Sequence, residues 1–368
     1  MPATDRKNYI PSLDGIRGVS ILMVIYAHLS VTHVFPHLMR ASTLGDSAVI
    51  VFFVLSGFLI TSQLESELVR FGTIRLIRFY LRRIFRLVPA LFLMTGFAAL
   101  LAHYGLVPLS GRDVLRALTY TSDYYDPKYW TLAHLWSLSV EEQFYLIWPI
   151  ILLLTGITRS KKVAIAAILL CPAMRTFCWY AGVNRDLVFR RFDLVADSLA
   201  IGCVLALERD AFRRSAIWKR WKPSTVIVAS AFVVVGWSLA HRLWPESEVI
   251  GRSFISLAAA FAVGAAAFFP SAAATKFLSW KPLVWVGEIS YSLYLWQQMF
   301  LVNTPGISKT PLPFPLSVIA AVSLAVLSYY FFESPIRNYG RRLTARKQNG
   351  HVDPKDVREP LEPEQIQA

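Results

Sequence analysis

Long apolar runs, separated by short polar connections, recur along the chain between residues 18 and 332. A run of roughly 20 apolar residues spans a bilayer as an α-helix, which satisfies its backbone hydrogen bonds internally. The pattern therefore predicts an all-α, polytopic membrane helical bundle. The ten predicted transmembrane helices are residues 18–35, 47–66, 87–105, 140–157, 163–182, 192–207, 223–241, 253–270, 283–302 and 313–332.

The composition agrees with a membrane protein. Hydrophobic residues make up 55% of the 368 residues, charged residues make up 17%, and the mean hydropathy is +0.45. Soluble domains average about a quarter charged residues, so an ordinary soluble core is excluded. The closely spaced runs predict one membrane domain over residues 1–342. Residues 343–368 are polar and lack a hydrophobic period, which predicts a disordered tail.

The positive charge is distributed unequally between the two sides of the predicted bundle. Of the 38 Lys and Arg residues, 27 fall on one side with both termini and 10 on the other, while Arg175 lies within a span. Cytoplasmic loops carry an excess of Lys and Arg, so both termini are predicted to be cytoplasmic in a multi-pass protein of the inner (cytoplasmic) membrane. The lipid bilayer accounts for the net charge of +14, and no nucleic-acid partner is predicted.

An arginine-rich stretch, RFGTIRLIRFYLRRIFRLVP (residues 70–89), precedes the third predicted span. Its apolar residues recur every three to four positions, which predicts an amphipathic helix on the inner surface. Two interpretations remain open for Arg83 and Arg86. They can anchor the helix on anionic lipid, or they can bind an anionic substrate.

Two ionisable residues, Arg17 and His28, interrupt the first apolar run, LDGIRGVSILMVIYAH. Ionisable groups within spans are costly and point to function. The two positions are eleven residues apart, which corresponds to about three helical turns, so both side chains share one helix face about 16 Å apart. Asp14, three residues before Arg17, is placed to pair with it. A snorkelling arginine and a structural histidine are the alternative.

Two adjacent carboxylates, Glu141 and Glu142, lie in the segment HLWSLSVEEQFYLIWP, which His134 opens. Neighbouring residues on a helix point about 100° apart, so only one of the two readily faces a given site. A carboxylate near His28 would orient its imidazole as in acid–base catalysis. A structural carboxylate between helices is the alternative.

Three further polar features have both structural and functional interpretations. Ser56-Gly57, among bulky residues, permits close helix packing or a broken helix. Asp193 and Asp197 lie one turn apart near a helix start, where capping explains them nearly as well as function. Glu333 and Arg337 are spaced to pair at the inner face. The cysteines form no metal-binding pattern, and no metal is predicted.

In combination these motifs resemble the acyltransferase 3 family of membrane-bound acyltransferases, which acylate extracytoplasmic sugars and some small molecules. The resemblance covers about residues 9–342. The matching motifs are Asp14-Gly15 with Arg17 and His28, Phe52-Phe53 with Ser56-Gly57-Phe58, Arg83 with Arg86 and Pro89, WSLSVEEQFYLIWP with Glu141, Arg191-Phe192-Asp193, and Glu333-Ser334-Pro335-Ile336-Arg337.

The resemblance implies transfer of an acyl group, expected to be acetyl, from cytoplasmic acyl-CoA to a hydroxyl of an extracytoplasmic carbohydrate. Arg17, Arg83 and Arg86 would bind the CoA phosphates, for which guanidinium groups are suited. His28, oriented by Glu141, would act as general base or carry the acyl group transiently, and the sequence leaves both open. Supporting roles are expected for Asp14, Ser56, Gly57, His134, Glu142 and Asp193.

One position departs from the family pattern. After ISYSLYLW many members carry a histidine, whereas this chain has Gln297-Gln298. A second function also remains open, namely a transporter or flippase for a lipid-linked sugar that uses the histidine and glutamate for proton coupling. Acyl transfer from labelled acetyl-CoA distinguishes the two functions.

Overall fold

The structure is a computed structural model that describes residues 9–30, 42–240, 247–301 and 312–349. Within these ranges the chain forms α-helices, short 3₁₀ turns and one π-helical turn, without a β-strand, which confirms the all-α prediction. The first seven helices are α1 (Pro11–Ser30), α2 (Ser42–Phe71), α3 (Leu76–His103), α4 (Gly111–Leu118), α5 (Leu135–Tyr180), α6 (Arg185–Val188) and α7 (Phe192–Leu207).

The second half of the described chain contains nine helices and a π-helical turn. They are α8 (Arg209–Arg214), α9 (Ile217–Arg220), α10 (Pro223–Ala240), α11 (Ser247–Phe268), α12 (Ala273–Leu278), α13 (Lys281–Glu288), α14 (Ser290–Leu301), α15 (Leu316–Leu327), the π turn Ser328–Glu333 and α16 (Ser334–Asn349). The tail predicted from residue 343 therefore begins inside a helix, and residues 350–368 lie outside the described ranges.

Six helical segments of the described chain are long and apolar enough to cross a membrane, and a bent pair, Arg209–Arg220 with Pro223–Leu239, raises the number to seven. The chain is thus a multi-pass membrane protein. Other predicted spans are helices too short to qualify alone, such as α13 and α14, which divide residues 283–302. The six segments are Pro11–Ser30, Thr43–Phe71, Leu76–His103, Trp130–Tyr180, Val249–Phe268 and Leu316–Thr344.

Helix α5 covers the predicted span 140–157 and most of the predicted span 163–182, and it bends near the end of the first. The bend is at Gly156, whose φ of 69° and ψ of 178° are not helical. Glycine adopts positive φ without the steric cost that a Cβ imposes. Gly156 therefore allows the chain to change direction within one continuous helical segment.

The arginine-rich segment does not form a separate surface helix. Helix α3 starts at Leu76 and continues through Pro89 to His103, so Arg83 and Arg86 lie on the first turns of a membrane-spanning helix. Their partly buried side chains point to the interior of the bundle rather than to lipid alone.

Glycines let the helices around the centre approach closely. A Cβ built on Gly57 of α2 would lie 2.0 Å from the Leu199 carbonyl oxygen of α7, and one on Gly202 would lie 2.1 Å from that of Val54. No side chain fits at such distances, so α2 and α7 are in backbone contact. The structure favours close packing over a broken helix for Ser56-Gly57, because α2 is continuous there.

A buried ion pair connects α5, α7 and α11. Arg175 and Asp197, exposed by 0% and 1%, form two hydrogen bonds of 3.1 and 3.2 Å, and Ser253 donates to the same carboxylate. Removing one member of such a pair costs about 3–5 kcal/mol, because the other charge stays buried. Asp197 is therefore a structural residue.

Candidate active site

A central cavity of about 310 Å³ lies between helices α1, α2, α3, α5 and α14. Its walls combine apolar side chains with polar groups from all five helices, a composition typical of ligand-binding pockets. The polar groups that matter for chemistry are Arg17, Ser56, Arg83, Arg86, Glu141, Tyr145 and Tyr294.

A second cavity of about 270 Å³, called here the vestibule, adjoins the central cavity. Arg17, Arg83 and Arg86 line both, so the structure brings together the three residues predicted to bind the donor. Asp14 also lines the vestibule and forms the predicted ion pair with Arg17, at 3.6 Å between carboxylate oxygen and guanidinium nitrogen. The arginines thus mark the passage between the two cavities.

Glu141 takes part in a hydrogen-bond network within the central cavity. Its carboxylate accepts hydrogen bonds from the Ser56 hydroxyl at 2.9 Å and the Tyr145 hydroxyl at 3.2 Å. Tyr145 also lies 2.9 Å from the Ser56 oxygen, and the Arg83 guanidinium lies 3.7 Å from the Tyr145 ring centroid. Because Glu141 and Tyr145 are one helical turn apart, both face the cavity.

Glu142 does not line either cavity, although it follows Glu141 directly. The two adjacent carboxylates thus have different surroundings, as expected for neighbouring residues on a helix. One oxygen of Glu142 is buried without a hydrogen-bond partner. Its supporting role stays a prediction.

His28 has a different partner from the one expected. Its Nδ1 lies 2.6 Å from the side-chain oxygen of Gln297, whereas Glu141 bonds to Ser56 and Tyr145. Because an amide oxygen only accepts hydrogen bonds, Nδ1 carries the proton and Nε2 presents its lone pair. The Trp130 ring packs edge-on against the imidazole, with the centroids 6.2 Å apart.

His28 does not line the central cavity, but Tyr294, one turn before Gln297 on α14, does. The Tyr294 hydroxyl lies 2.6 Å from the Ser137 oxygen and donates to the His134 carbonyl at 2.7 Å. Tyr294 in the cavity wall and Gln297, the partner of His28, are thus neighbours on the same face of α14.

The remaining two sequence-predicted residues have unlike environments. His134 is 5% exposed, and its ring centroid lies 5.2 Å from that of Tyr294. Asp193 is exposed and pairs with Arg191 at 2.7 Å. Neither residue lines a cavity, but His134 contacts a residue of the cavity wall.

A buried carboxyl fixes the segment before α5 to the bundle. Asp123 is fully buried and accepts hydrogen bonds from the Gln143 side chain at 2.8 Å and the Phe192 backbone N–H at 3.1 Å. Burial raises the pKa of Asp123 to about 6, although both hydrogen bonds oppose the shift. The residue caps α7 and connects it to the helix that carries Glu141.

Sequence reasoning missed three residues of the site, namely Tyr145, Tyr294 and Gln297. The i, i+4 spacing of Glu141 and Tyr145 was available as a signal. Gln297 is a polar residue in an apolar helix, and at 1% exposed its side chain needs a hydrogen-bond partner. The partner itself lies 269 residues earlier, which no local pattern indicates.

Comparison with known proteins adds to the geometry. A family model described as an acyltransferase domain, Acyl_transf_3, matches residues 10–333. The chain is 32% identical to the putative peptidoglycan O-acetyltransferase YrhL of Bacillus subtilis, over 94% of this chain and 57% of that protein. It is 29% identical to the peptidoglycan O-acetyltransferase OatA of Listeria monocytogenes, over 91% and 57%.

A third relative is the O-acetyltransferase OatA of Staphylococcus aureus, 31% identical over 90% of this chain and 58% of that protein. The chain thus spans less than three fifths of the length of these relatives. No solved structure matches it significantly. Since the family model covers most of the chain, the protein belongs to the acyltransferase 3 family, as its motifs indicated.

Proposed function

We propose that this protein is a membrane O-acyltransferase that moves an acetyl group from cytoplasmic acyl-CoA to a hydroxyl of an extracytoplasmic carbohydrate. Family membership and the peptidoglycan O-acetyltransferase relatives support the reaction class and a glycan acceptor. The donor, the sidedness and the residue roles are proposals that rest on the cavities and their charges.

The observation that carries the proposal is the pair of cavities joined at Arg17, Arg83 and Arg86. Guanidinium groups bind phosphate, so a CoA molecule would place its phosphates at this junction. Its pantetheine arm would extend through the central cavity toward Tyr294. His28 lies farther along the helix face that begins with Arg17, about 16 Å away for eleven residues.

In the direct version of the reaction, the acceptor hydroxyl oxygen attacks the thioester carbonyl carbon. Nε2 of His28 takes the hydroxyl proton, the C–S bond breaks, and the CoA thiolate leaves and is protonated. Gln297 holds the imidazole in the tautomer that this step requires. Glu141 is held by hydrogen bonds from Ser56 and Tyr145. This network would shape the part of the central cavity that receives the thioester carbonyl of the donor.

In the two-step version, Nε2 of His28 attacks the thioester carbonyl carbon, the C–S bond breaks, and the CoA thiolate leaves and takes up the ring proton, so that an acyl-imidazole remains. The acceptor hydroxyl then attacks the carbonyl carbon of that intermediate. The acyl group leaves the nitrogen, and the hydroxyl proton returns to the imidazole. Both versions need the lone pair at Nε2. A trapped acyl-histidine would favour the second version.

The distribution of charge supports the proposed sidedness. With ten crossings, 27 of the 38 Lys and Arg residues lie on the side of the two termini, which the positive-inside tendency assigns to the cytoplasm. Ten crossings result when α5 counts as two helices, α13 with α14 as one, and α15 with the π turn as one. The arginine-lined vestibule is then cytoplasmic, where acyl-CoA is made available.

The test uses purified protein in nanodiscs, acetyl-labelled acetyl-CoA and a soluble peptidoglycan fragment, with acetylated glycan measured by mass spectrometry. His28→Ala is expected to lower transfer at least about 100-fold, the scale of a lost general base, while CoA binding is retained. The exposed His103, which lines neither cavity, provides the matched control His103→Ala. Full transfer by His28→Ala contradicts the proposal, and sugar movement without acyl transfer favours a transporter.

A further inference from the structure

The last helix contributes two arginines to the vestibule, Arg337 and Arg341. The expected pairing of Arg337 with Glu333 does not form. The carboxylate of Glu333, 6% exposed, instead accepts hydrogen bonds from Ser292 and Ser328, each at 2.7 Å. Arg337 therefore forms no hydrogen-bonded ion pair with Glu333, although the two charges still attract one another.

The contacts of Arg337 leave part of its guanidinium group without a protein partner. One terminal nitrogen donates to the Tyr329 hydroxyl at 3.3 Å, and the guanidinium carbon lies 5.3 Å from that ring centroid. Its Nε is buried and has no hydrogen-bond partner. A buried charged donor without an acceptor is costly, so this atom points to a ligand.

Two features of the backbone put the last helix in this place. Within the π turn Ser328–Glu333, Tyr329 lines the vestibule and Glu333 accepts a hydrogen bond from Ser328, and π turns inside helices occur often at functional sites. A Cβ on Gly340 would lie 2.5 Å from the Phe85 side chain. Glycine thus lets α16 pack against α3, beside the arginines of that helix.

The vestibule carries an excess of positive charge, which favours binding of an anion. Six guanidinium groups line it, from residues 17, 82, 83, 86, 337 and 341, against the two carboxylates of Asp14 and Glu288. The surplus is four formal positive charges, and Asp14 is already paired with Arg17. Like charges gathered in about 270 Å³ repel one another unless an anion offsets them, and guanidinium groups match the geometry of phosphate.

We propose that Arg337 and Arg341 are phosphate-binding residues that hold the nucleotide end of the donor in the vestibule. The arginines shared with the central cavity hold the part nearer the thioester. A 3′-phosphorylated nucleoside diphosphate carries about four negative charges, since a phosphate monoester carries close to two. The donor's identity as acyl-CoA rests on the proposed function, whereas phosphate recognition does not.

The experiment measures CoA, pantetheine and inorganic pyrophosphate binding to the full chain in phosphatidylcholine nanodiscs by calorimetry. Arg337→Gln and Arg341→Gln are each expected to weaken CoA binding about tenfold or more and to leave pantetheine binding unchanged. Arg342→Gln is the matched control, because Arg342 lies on the same helix, is exposed and lines neither cavity. Arg337→Lys keeps the positive charge but lacks the planar guanidinium group, so its CoA affinity should fall less than that of Arg337→Gln.

The outcomes separate this inference from the proposed function. CoA affinity unchanged in both glutamine variants, with wild-type thermal stability, overturns the inference while acyl transfer continues to support the proposed function. If pyrophosphate binding depends on Arg337 but the wild type does not bind CoA, the phosphate site is supported and the proposed donor is contradicted.

A lipid phosphate is the other source of the same chemistry. Binding of phosphatidylglycerol that depends on Arg337, measured by native mass spectrometry, together with unchanged CoA affinity, would identify a lipid site and overturn the donor assignment. Competition between CoA and pyrophosphate in neutral-lipid nanodiscs would instead support the assignment of this site to the donor. A steep loss of affinity with added salt is expected for the wild type, because several charges contribute.

Discussion

The imidazole of His28 bonds through Nδ1 to the side-chain oxygen of Gln297, at 2.6 Å across 269 residues of sequence. The bond leaves Nε2 as the basic nitrogen and fixes the plane of the ring. Gln297 occupies the position at which the sequence departs from the family pattern. In this chain that position orients the histidine, the role first expected of Glu141.

Gln297→Leu is predicted to lower the turnover number of acyl transfer about tenfold, the effect of about 1.4 kcal/mol lost from the transition state. The CoA dissociation constant should not change, because Gln297 does not line the cavities. Steady-state kinetics with labelled acetyl-CoA measures both quantities. Gln298→Leu is the control, since Gln298 bonds to the Trp130 carbonyl instead, and an equal loss in both variants would argue for a general packing effect.

Ser56→Ala and Tyr145→Phe are predicted to be non-additive. Each removes one of the two hydroxyls bonded to Glu141, and the hydroxyls also contact one another at 2.9 Å. Groups in one network couple by about 0.5–3 kcal/mol. A double-mutant cycle on the rate of acyl transfer measures the coupling, and strictly additive losses would show that the three side chains act separately.

Gly57→Ala and Gly202→Ala are each predicted to lower the melting temperature strongly or prevent folding. The added methyl would meet a backbone carbonyl of the facing helix at about 2 Å, and α2 and α7 would have to separate. Gly96→Ala is the control, because nothing lies within 4 Å of its Cβ position. Replacing an open helical glycine by alanine should stabilise by about 0.5–1 kcal/mol. Thermal unfolding in detergent followed by tryptophan fluorescence tests all three, and equal effects would contradict the packing.

Asp197→Asn is predicted to destabilise the fold by about 3 kcal/mol, because the buried Arg175 loses its charged partner. Asp193→Asn should change stability by less than about 1 kcal/mol, since its pair with Arg191 is exposed. The same unfolding assay compares these two neighbouring aspartates. A larger loss from Asp193→Asn would contradict both assignments.

The stability contribution of Asp123 is predicted to depend on pH. Burial raises its pKa in the folded state to about 6 from the ordinary 3.8, so between these values the folded protein binds the proton more tightly than the unfolded chain does. The contribution of this group therefore increases as pH falls from 7 toward 4. Melting temperatures of wild type and Asp123→Asn at several pH values should show a difference that shifts in favour of the wild type at lower pH. A constant difference would contradict the raised pKa.

The sequence by itself determined the helical membrane character, because apolar runs of bilayer length have few other conformations. It also determined which residues share a helix face, such as Arg17 with His28, because the helical period is fixed. The expectation that Glu141 and Glu142 point in different directions followed from the same local geometry.

Only the tertiary structure decided which faces meet. The partner of His28, the Ser56 hydroxyl on Glu141 and the Ser292 hydroxyl on Glu333 all depend on contacts between distant helices. Those contacts are set by where small residues allow backbones to touch, as Gly57 does against Leu199. Helical periodicity orients a side chain on its own helix, whereas packing chooses the side chain that it faces.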